Sequence, residues 1–255
     1  MNNIFDSHAH YDDEQFDPDR DALLAALPGM GVRCIMNAAS DLDSARRGIA
    51  LAGRYAQFYC SVGVHPHEAK DAPADLEEQL ERLAACEKVR AVGEIGLDYH
   101  YDFSPRDRQQ EVFRRQLQMA RELDLPVIVH DREAHRDTVE LLREYRPKGI
   151  VHCFSGSAEM ARELVGLGLY IGFTGVVTFH NARKALAAAA VVPAERLLIE
   201  TDCPYMAPVP FRGRRCDSSM LEHTARALAA VRGIEVQALV DQTFRNACDV
   251  YGIEC

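Results

Sequence analysis

Two hydrophobic periodicities alternate along the chain. Short β-branched runs are separated by longer stretches in which apolar residues recur at helical spacing with charge between them. The short runs predict eight strands, at about residues 3–8, 32–38, 58–64, 89–95, 126–130, 149–154, 169–175 and 196–202. The longer stretches predict helices over 43–53, 75–86, 105–123, 133–145, 157–167, 181–190 and 218–231. In 105–123 the stripe is Val112, Phe113, Leu117, Ala120 and Leu123, and Pro105 marks the first turn. Eight strands, each followed by a helical segment within 255 residues, predict an α/β protein of the (β/α)8 or TIM-barrel class rather than an open doubly wound sheet. Gly29-Met30-Gly31 ends a helix and precedes a strand, the reverse of the order a dinucleotide-binding glycine motif requires. With no linker, low-complexity tract or repeat, one domain over residues 1–255 is expected.

Composition narrows the class. With 47% hydrophobic and 27% charged residues the chain has the apolar mass for a sizeable core, which excludes disordered, collagenous and mini-protein classes. The 29 basic residues against 39 acidic ones leave a formal charge of -10, so no broad surface for coating nucleic acid is expected; a phosphate backbone would need local basic residues or metal cations. The N-terminus has no basic segment or long apolar stretch, and no window approaches the roughly 18 apolar residues of a membrane span. A soluble cytoplasmic protein with no membrane partner and no obligate protein partner is expected. The eight cysteines are scattered without a Cys-x-x-Cys pair, and are expected to be reduced thiols that pack as small hydrophobes.

In such a barrel the reactive groups stand where strands end and βα loops begin. Six predicted strands end in an imidazole or a carboxylate: Asp6-Ser-His8-Ala-His10, Val64-His65-Pro66-His67, Gly93-Glu94-Ile95-Gly96, Ile128-Val129-His130, Ile150-Val151-His152 and Glu200-Thr201-Asp202. His8 and His10 are two apart, so both rings can point into the barrel mouth. A lone His-x-His pair is common among ordinary histidines. Glu94, His130, His152 and Asp202 come from four further strands, however, and that many polar groups at one mouth are costly unless mutually satisfied or metal-bound. Imidazole and carboxylate without thiolate suit Zn, Mn or Fe, and the carboxylates admit Mg. Six ligands exceed the three or four of one catalytic zinc, so two divalent metal ions sharing a carboxylate are expected, with Glu94 as the bridge.

At these residues the chain resembles the TatD family of metal-dependent deoxyribonucleases, a branch of the amidohydrolase superfamily. The matching stretches run from end to end: Asp6-Ser-His8-Ala-His10, Ser61-Val-Gly-Val-His65-Pro-His67, Gly93-Glu94-Ile-Gly-Leu-Asp98-Tyr99, Pro126-Val-Ile-Val-His130-Asp-Arg132-Glu-Ala, His152-Cys-Phe-Ser155-Gly and Leu198-Ile-Glu200-Thr-Asp202-Cys-Pro204-Tyr205. The resemblance implies one ion on His8, His10 and Glu94 and a second on Glu94, His130 and His152, with Asp202 beside the pair as ligand and proton acceptor. It implies hydrolysis of phosphodiester bonds at DNA ends, of the 3′ to 5′ exonuclease type, by a metal-activated water. Two cations suit that chemistry physically, since they acidify a shared water and neutralise charge on a phosphoryl group.

Around this centre the readings divide. Glu200 faces the same side of its strand as Asp202 and is either a second catalytic carboxylate or a buried ion-pair partner. His65 is expected to contact substrate, and His67 either helps it or is a loop residue of the rim. Arg132 and the run Phe211-Arg212-Gly213-Arg214-Arg215 supply local positive charge for a strand, against the alternative of a solvated charge run at Arg214 and Arg215. Tyr99, Tyr101 and Phe103 either stack a terminal base or pack. The chain departs from the family where Cys216-Asp217-Ser218 replaces the usual Asn-Glu-Pro and Phe211 the common histidine, a change expected in the substrate rim. That keeps a small phosphate ester in view as substrate. The competing functions are an amidohydrolase-type hydrolase of a small ester, lactone or amide, and a metal-binding adaptor without turnover. The lysine-bridged amidase branches are disfavoured, because none of the four lysines ends a strand.

Overall fold

In the computed structural model, which describes residues 1–254, the eight β-branched runs form one parallel sheet in sequence order. Its strands are β1 (Ile4–Ala9), β2 (Val32–Asn37), β3 (Phe58–Val62), β4 (Val89–Asp98), β5 (Val127–Arg132), β6 (Gly149–Val151), β7 (Tyr170–Phe173) and β8 (Leu197–Ile199). Nearly all strand positions up to the strand ends are buried, as a parallel sheet covered on both faces requires. The helices are α1 (Arg20–Ala26), α2 (Leu42–Arg54), α3 (Leu76–Ala84), α4 (Arg106–Glu122), α5 (His135–Tyr145), α6 (Ala158–Gly166), α7 (Arg183–Val191), α8 (Leu221–Arg232) and α9 (Val236–Tyr251). Side-chain caps start two of them: Asp41 accepts from Ser44 N at 2.7 Å ahead of α2, and Ser157 accepts from Met160 N at 3.2 Å ahead of α6. The TIM-barrel expectation holds.

The barrel closes by a seam rather than a ladder. Between β1 and the segment after β8 there is one parallel bridge, Ala9 to Cys203. The Asp202 N–H donates to His8 O at 2.9 Å and the His10 N–H to Cys203 O at 2.8 Å. Asp6 pins the same seam: its carboxylate accepts from Thr201 N at 2.9 Å, Thr201 Oγ1 at 2.6 Å and Ser218 Oγ at 2.6 Å. Burial pushes the Asp6 carboxyl up to about 6, against the pull of these bonds.

The apolar residues fall into two clusters. The larger lies between the outside of the sheet and the helices. The smaller joins Phe5, Met36, Ala91, Ile128, Ile150 and Leu198, from six different strands, to Phe244, Ala247 and Tyr251 of α9. Only the barrel interior brings six strands together, so α9 plugs the N-terminal end, and Tyr251 Oη donates to Ser7 O at 2.8 Å. Polar chemistry is thereby confined to the opposite end.

Several boundaries differ from expectation. β4 continues to Asp98, while β6 and β8 stop before His152 and Glu200, so those side chains stand on the loops rather than in the strands. α9 lies beyond the last predicted helix. Cys34, Cys60, Cys86, Cys153, Cys203 and Cys216 are free thiols. Cys248 is disulfide-bonded, which corrects the reduced-thiol reading there; Cys255 lies outside the described residues. No described helix is long and apolar enough to cross a membrane.

Candidate active site

Two register irregularities aim the central side chains. Between Asp6 and Ala9, β1 spans one residue more than β2 does between Ile35 and Asn37. β4 likewise spans one residue more between Val92 and Ile95 than β5 does between Val127 and Val129. An extra residue redirects the side chains beside it, here His8 and Glu94. The second irregularity needs glycine: at Gly93 (φ 149°) a Cβ would stand 2.6 Å from Ile128 O.

Glu94 stands between two sets of donors. Its Oε2 lies 3.3 Å from His8 Nε2 and 3.4 Å from His10 Nε2. Those nitrogens are 3.0 Å apart, and Asp202 Oδ1 is 3.6 Å and 3.4 Å from them. Tetrahedral ligands of an ion bound at about 2.0–2.2 Å lie roughly 3.3–3.6 Å apart, so this set fits one divalent cation. On the other side, Glu94 Oε1 is 2.7 Å from His130 Nδ1, 2.7 Å from His152 Nε2 and 3.4 Å from His65 Nε2. His130 Nδ1 and His152 Nε2 are 3.3 Å apart. This second set is drawn to hydrogen-bond lengths and is tighter than the first, with donors of the same chemistry. The six residues expected as ligands thus come together. His65, expected as a substrate contact, lines the cavity and also stands among the donors, buried beside Glu94.

The electrostatics are those of a crowded cage of imidazoles around two carboxylates. Burial would raise the Glu94 carboxyl, but the imidazoles of His152, His65, His8 and His10 overcome it and hold the group well below its ordinary value. Burial drives His8 and His65 down to about 4. The same burial is outweighed at His10 by its bonds to Asp202 and Glu94, which raise it, and at His130 by Asp98 and Glu94, which raise it to about 9.

Behind the donors stand supporting carboxylates. Asp98 Oδ2 is 3.2 Å from His130 Nε2 and 2.8 Å from His67 Nε2, while Asp98 Oδ1 accepts from His100 N and Tyr101 N at 3.0 and 2.9 Å. His67, in the 3-10 helix Pro66–Asp71 that follows β3, is therefore tied to the centre. Glu200 is fully buried beneath it: Oε1 accepts from Cys153 N and lies 3.8 Å from His152 Nδ1, and Oε2 accepts from Ser7 Oγ at 3.3 Å. Burial pushes its carboxyl up to about 7. Glu200 does not reach the cavity wall, which favours the buried-partner reading over a catalytic one.

The centre opens into a cavity of about 700 Å³ whose lining includes Arg47, Arg132, Lys184 and Arg212. Arg132 lies 4.6 Å over the Tyr101 ring and Arg212 4.5 Å over Phe179. Arg47 and Lys184 were not anticipated, because on α2 and α7 they are indistinguishable in sequence from ordinary surface charge. Arg215 is not a free rim cation: it pairs with both oxygens of Asp19 at 2.7 and 2.6 Å. Arg214 lines a shallower depression of about 380 Å³ next to Arg212 and Tyr205. Nor do Cys216-Asp217-Ser218 belong to the substrate rim. Ser218 bonds Asp6 at the seam, Asp217 accepts from Ser219 N at 2.9 Å, Cys216 is buried, and Phe211 packs edge-on against His223 at 5.2 Å.

A polar mouth of five imidazoles and two carboxylates on a (β/α)8 barrel defines a metal-dependent hydrolase. Comparison with known proteins makes the class specific. The family model for TatD-related DNases matches residues 5–252, and the chain belongs to that family. It is 39% identical over 253 residues to the metal-dependent hydrolase YabD of Bacillus subtilis (strain 168), covering 98% of this chain and 99% of that one. It is 36% identical over 257 residues to TatD of Cronobacter sakazakii (strain ATCC BAA-894), named a 3′-5′ ssDNA/RNA exonuclease, with 97% of each covered. Among solved structures, YJJV, a TatD homologue from Escherichia coli K12, superposes with a TM-score of 0.93 at 32% identity over 99% of both chains.

Proposed function

We propose that the protein is a two-cation exonuclease that shortens single-stranded DNA from the 3′ end. The observation that carries this reading is the position of Glu94, which offers one oxygen to each of two donor sets: His8, His10 and Asp202 on one side, His130, His152 and the adjacent His65 on the other. When bound, divalent cations there supply a water acidified into the neutral range and positive charge for the phosphoryl oxygens. Asp202 lines the cavity with Oδ1 beside His8 and His10, within reach of a proton released at the centre. Arg132 and Arg212, both on the cavity wall without acidic partners among the described residues, orient the phosphates. A chain of charge -10 with so few open cations engages only a few phosphates, which suits an end rather than a duplex. The activity named for the Cronobacter relative supports this reading over hydrolysis of a small ester, lactone or amide.

The test is digestion of 5′-labelled single strands with Mg, Mn or Zn. A ladder shortening from the 3′ end is expected, with about two divalent ions per chain by elemental analysis. Glu94→Gln and Asp202→Asn lower the rate more than ~100-fold with the far-UV spectrum unchanged. At most one ion after saturation overturns the two-cation form. Absence of a ladder together with efficient turnover of a small ester or lactone overturns the nuclease reading.

A further inference from the structure

β4 overruns its expected end and leads into residues 99–103, of which Tyr101 lines the cavity and Phe103 stands beside it on the exposed side. Three aromatic rings stand there, and their fates differ. Tyr99 is held in place: its Oη donates to Asp137 at 2.7 Å, Gln110 donates to it at 2.8 Å, and Arg106 lies 4.3 Å over its ring. Tyr101 and Phe103 are 46% and 57% exposed and stack on each other, centroids 5.2 Å apart at 24°. Stacked together, the two rings make one contiguous exposed patch beside the site rather than two scattered side chains.

The pair is rigidly referenced to the metal centre. Both rings rest against His67, at 5.4 Å and 89° for Tyr101 and 4.8 Å and 65° for Phe103. His67 bonds the same Asp98 oxygen that His130 does. With Arg132 over Tyr101 and Phe103 stacked against it, Phe103 is the ring left to take a further planar group.

We propose that Tyr101 and Phe103 form a stacking platform for one nucleobase of the substrate strand beside the scissile phosphate, anchored through His67 and Asp98, with Arg132 on the adjoining phosphate. This rests on the exonuclease reading and deepens it. A base must be unpaired to lie on the ring, so the platform selects single strands. Every base has a π-face, so it imposes little sequence preference.

The experiment combines an abasic scan with ring removal. Single-stranded hexanucleotides, 5′-labelled, carry a tetrahydrofuran abasic residue at one of the last three 3′ positions, and KM and kcat are measured for each. In the wild type, one position raises KM roughly 5- to 150-fold, the range for loss of one base–aromatic stack. Phe103→Ala raises KM for the intact strand by a similar factor and is indifferent to the abasic residue at that position, and Phe103→Trp restores the wild-type pattern. Phe103 is exposed, so the variant keeps the wild-type melting temperature. A wild type indifferent to all three abasic positions overturns the platform, as does a Phe103→Ala penalty that multiplies with the abasic penalty. In either case the intact strand is still digested, which separates this failure from that of the exonuclease reading, where no strand is digested.

Discussion

Asp98 is fully buried, and its bonds to His130, Tyr101 N and His67 hold it ionised, well below its ordinary value, against burial. It divides its two oxygens between a loop and two rings. A carboxylate behind an imidazole fixes the ring's tautomer and orientation. Asp98→Asn is therefore expected to weaken divalent-cation affinity about 10- to 100-fold in a competitive chelator titration, with the fold intact. An unmoved affinity would leave Asp98 as a loop anchor only. At this scale much of the centre was legible in advance, because His8, His10, Glu94, His130, His152 and Asp202 each stand at or just past the end of a β-branched run, where barrel geometry makes them converge. His65 follows β3 by three residues, as Asp202 follows β8, and there the period of two no longer says which way a side chain points; the family resemblance kept Asp202 among the ligands and left His65 to the substrate.

The elements show a different balance between what local sequence carries and what it does not. The eight strands and α2 to α8 follow from their own periodicity. The two one-residue register irregularities do not, since register is a relation between strands, and Gly93 is the single local mark of either. α1 and α9 were not among the expected helices; α1 is only seven residues long. In α9 Val236, Leu239, Val240, Thr243, Phe244, Ala247 and Tyr251 recur at helical spacing, but a (β/α)8 pattern gives a second helix after the last strand no place. Its place is the barrel floor, where Phe244 sits near Phe5 at 6.1 Å and Tyr251 stacks on it at 5.9 Å. Phe244→Ala should cost about 3–5 kcal/mol, the range for emptying a buried aromatic site, read from denaturant or thermal unfolding. A loss below about 1 kcal/mol would show that the floor does not depend on α9.

For the molecule as a whole, net negative charge and a proton-laden centre combine into a pH dependence. His10 and His130 sit above the ordinary imidazole value, His130 at about 9, so both carry protons at neutral pH in the cation-free protein. A cation takes only the neutral ring, so binding must expel these protons. Affinity should rise as pH climbs from about 6.5 toward about 9 and level off above it. Calorimetry at pH 7 in buffers of different ionisation enthalpy should report net proton release, and none would contradict this charge assignment. The first donor set also depends on closure of the barrel. His8 lies in β1, His10 just after it and Asp202 just after β8, so they meet only where the first and last strands are joined. A ribosome-bound or truncated chain that lacks the segment after β8 has neither the seam nor the first cation's full donor set. Cation uptake by that set thus reports a closed barrel, and a chain whose seam is open holds the two halves of the set apart.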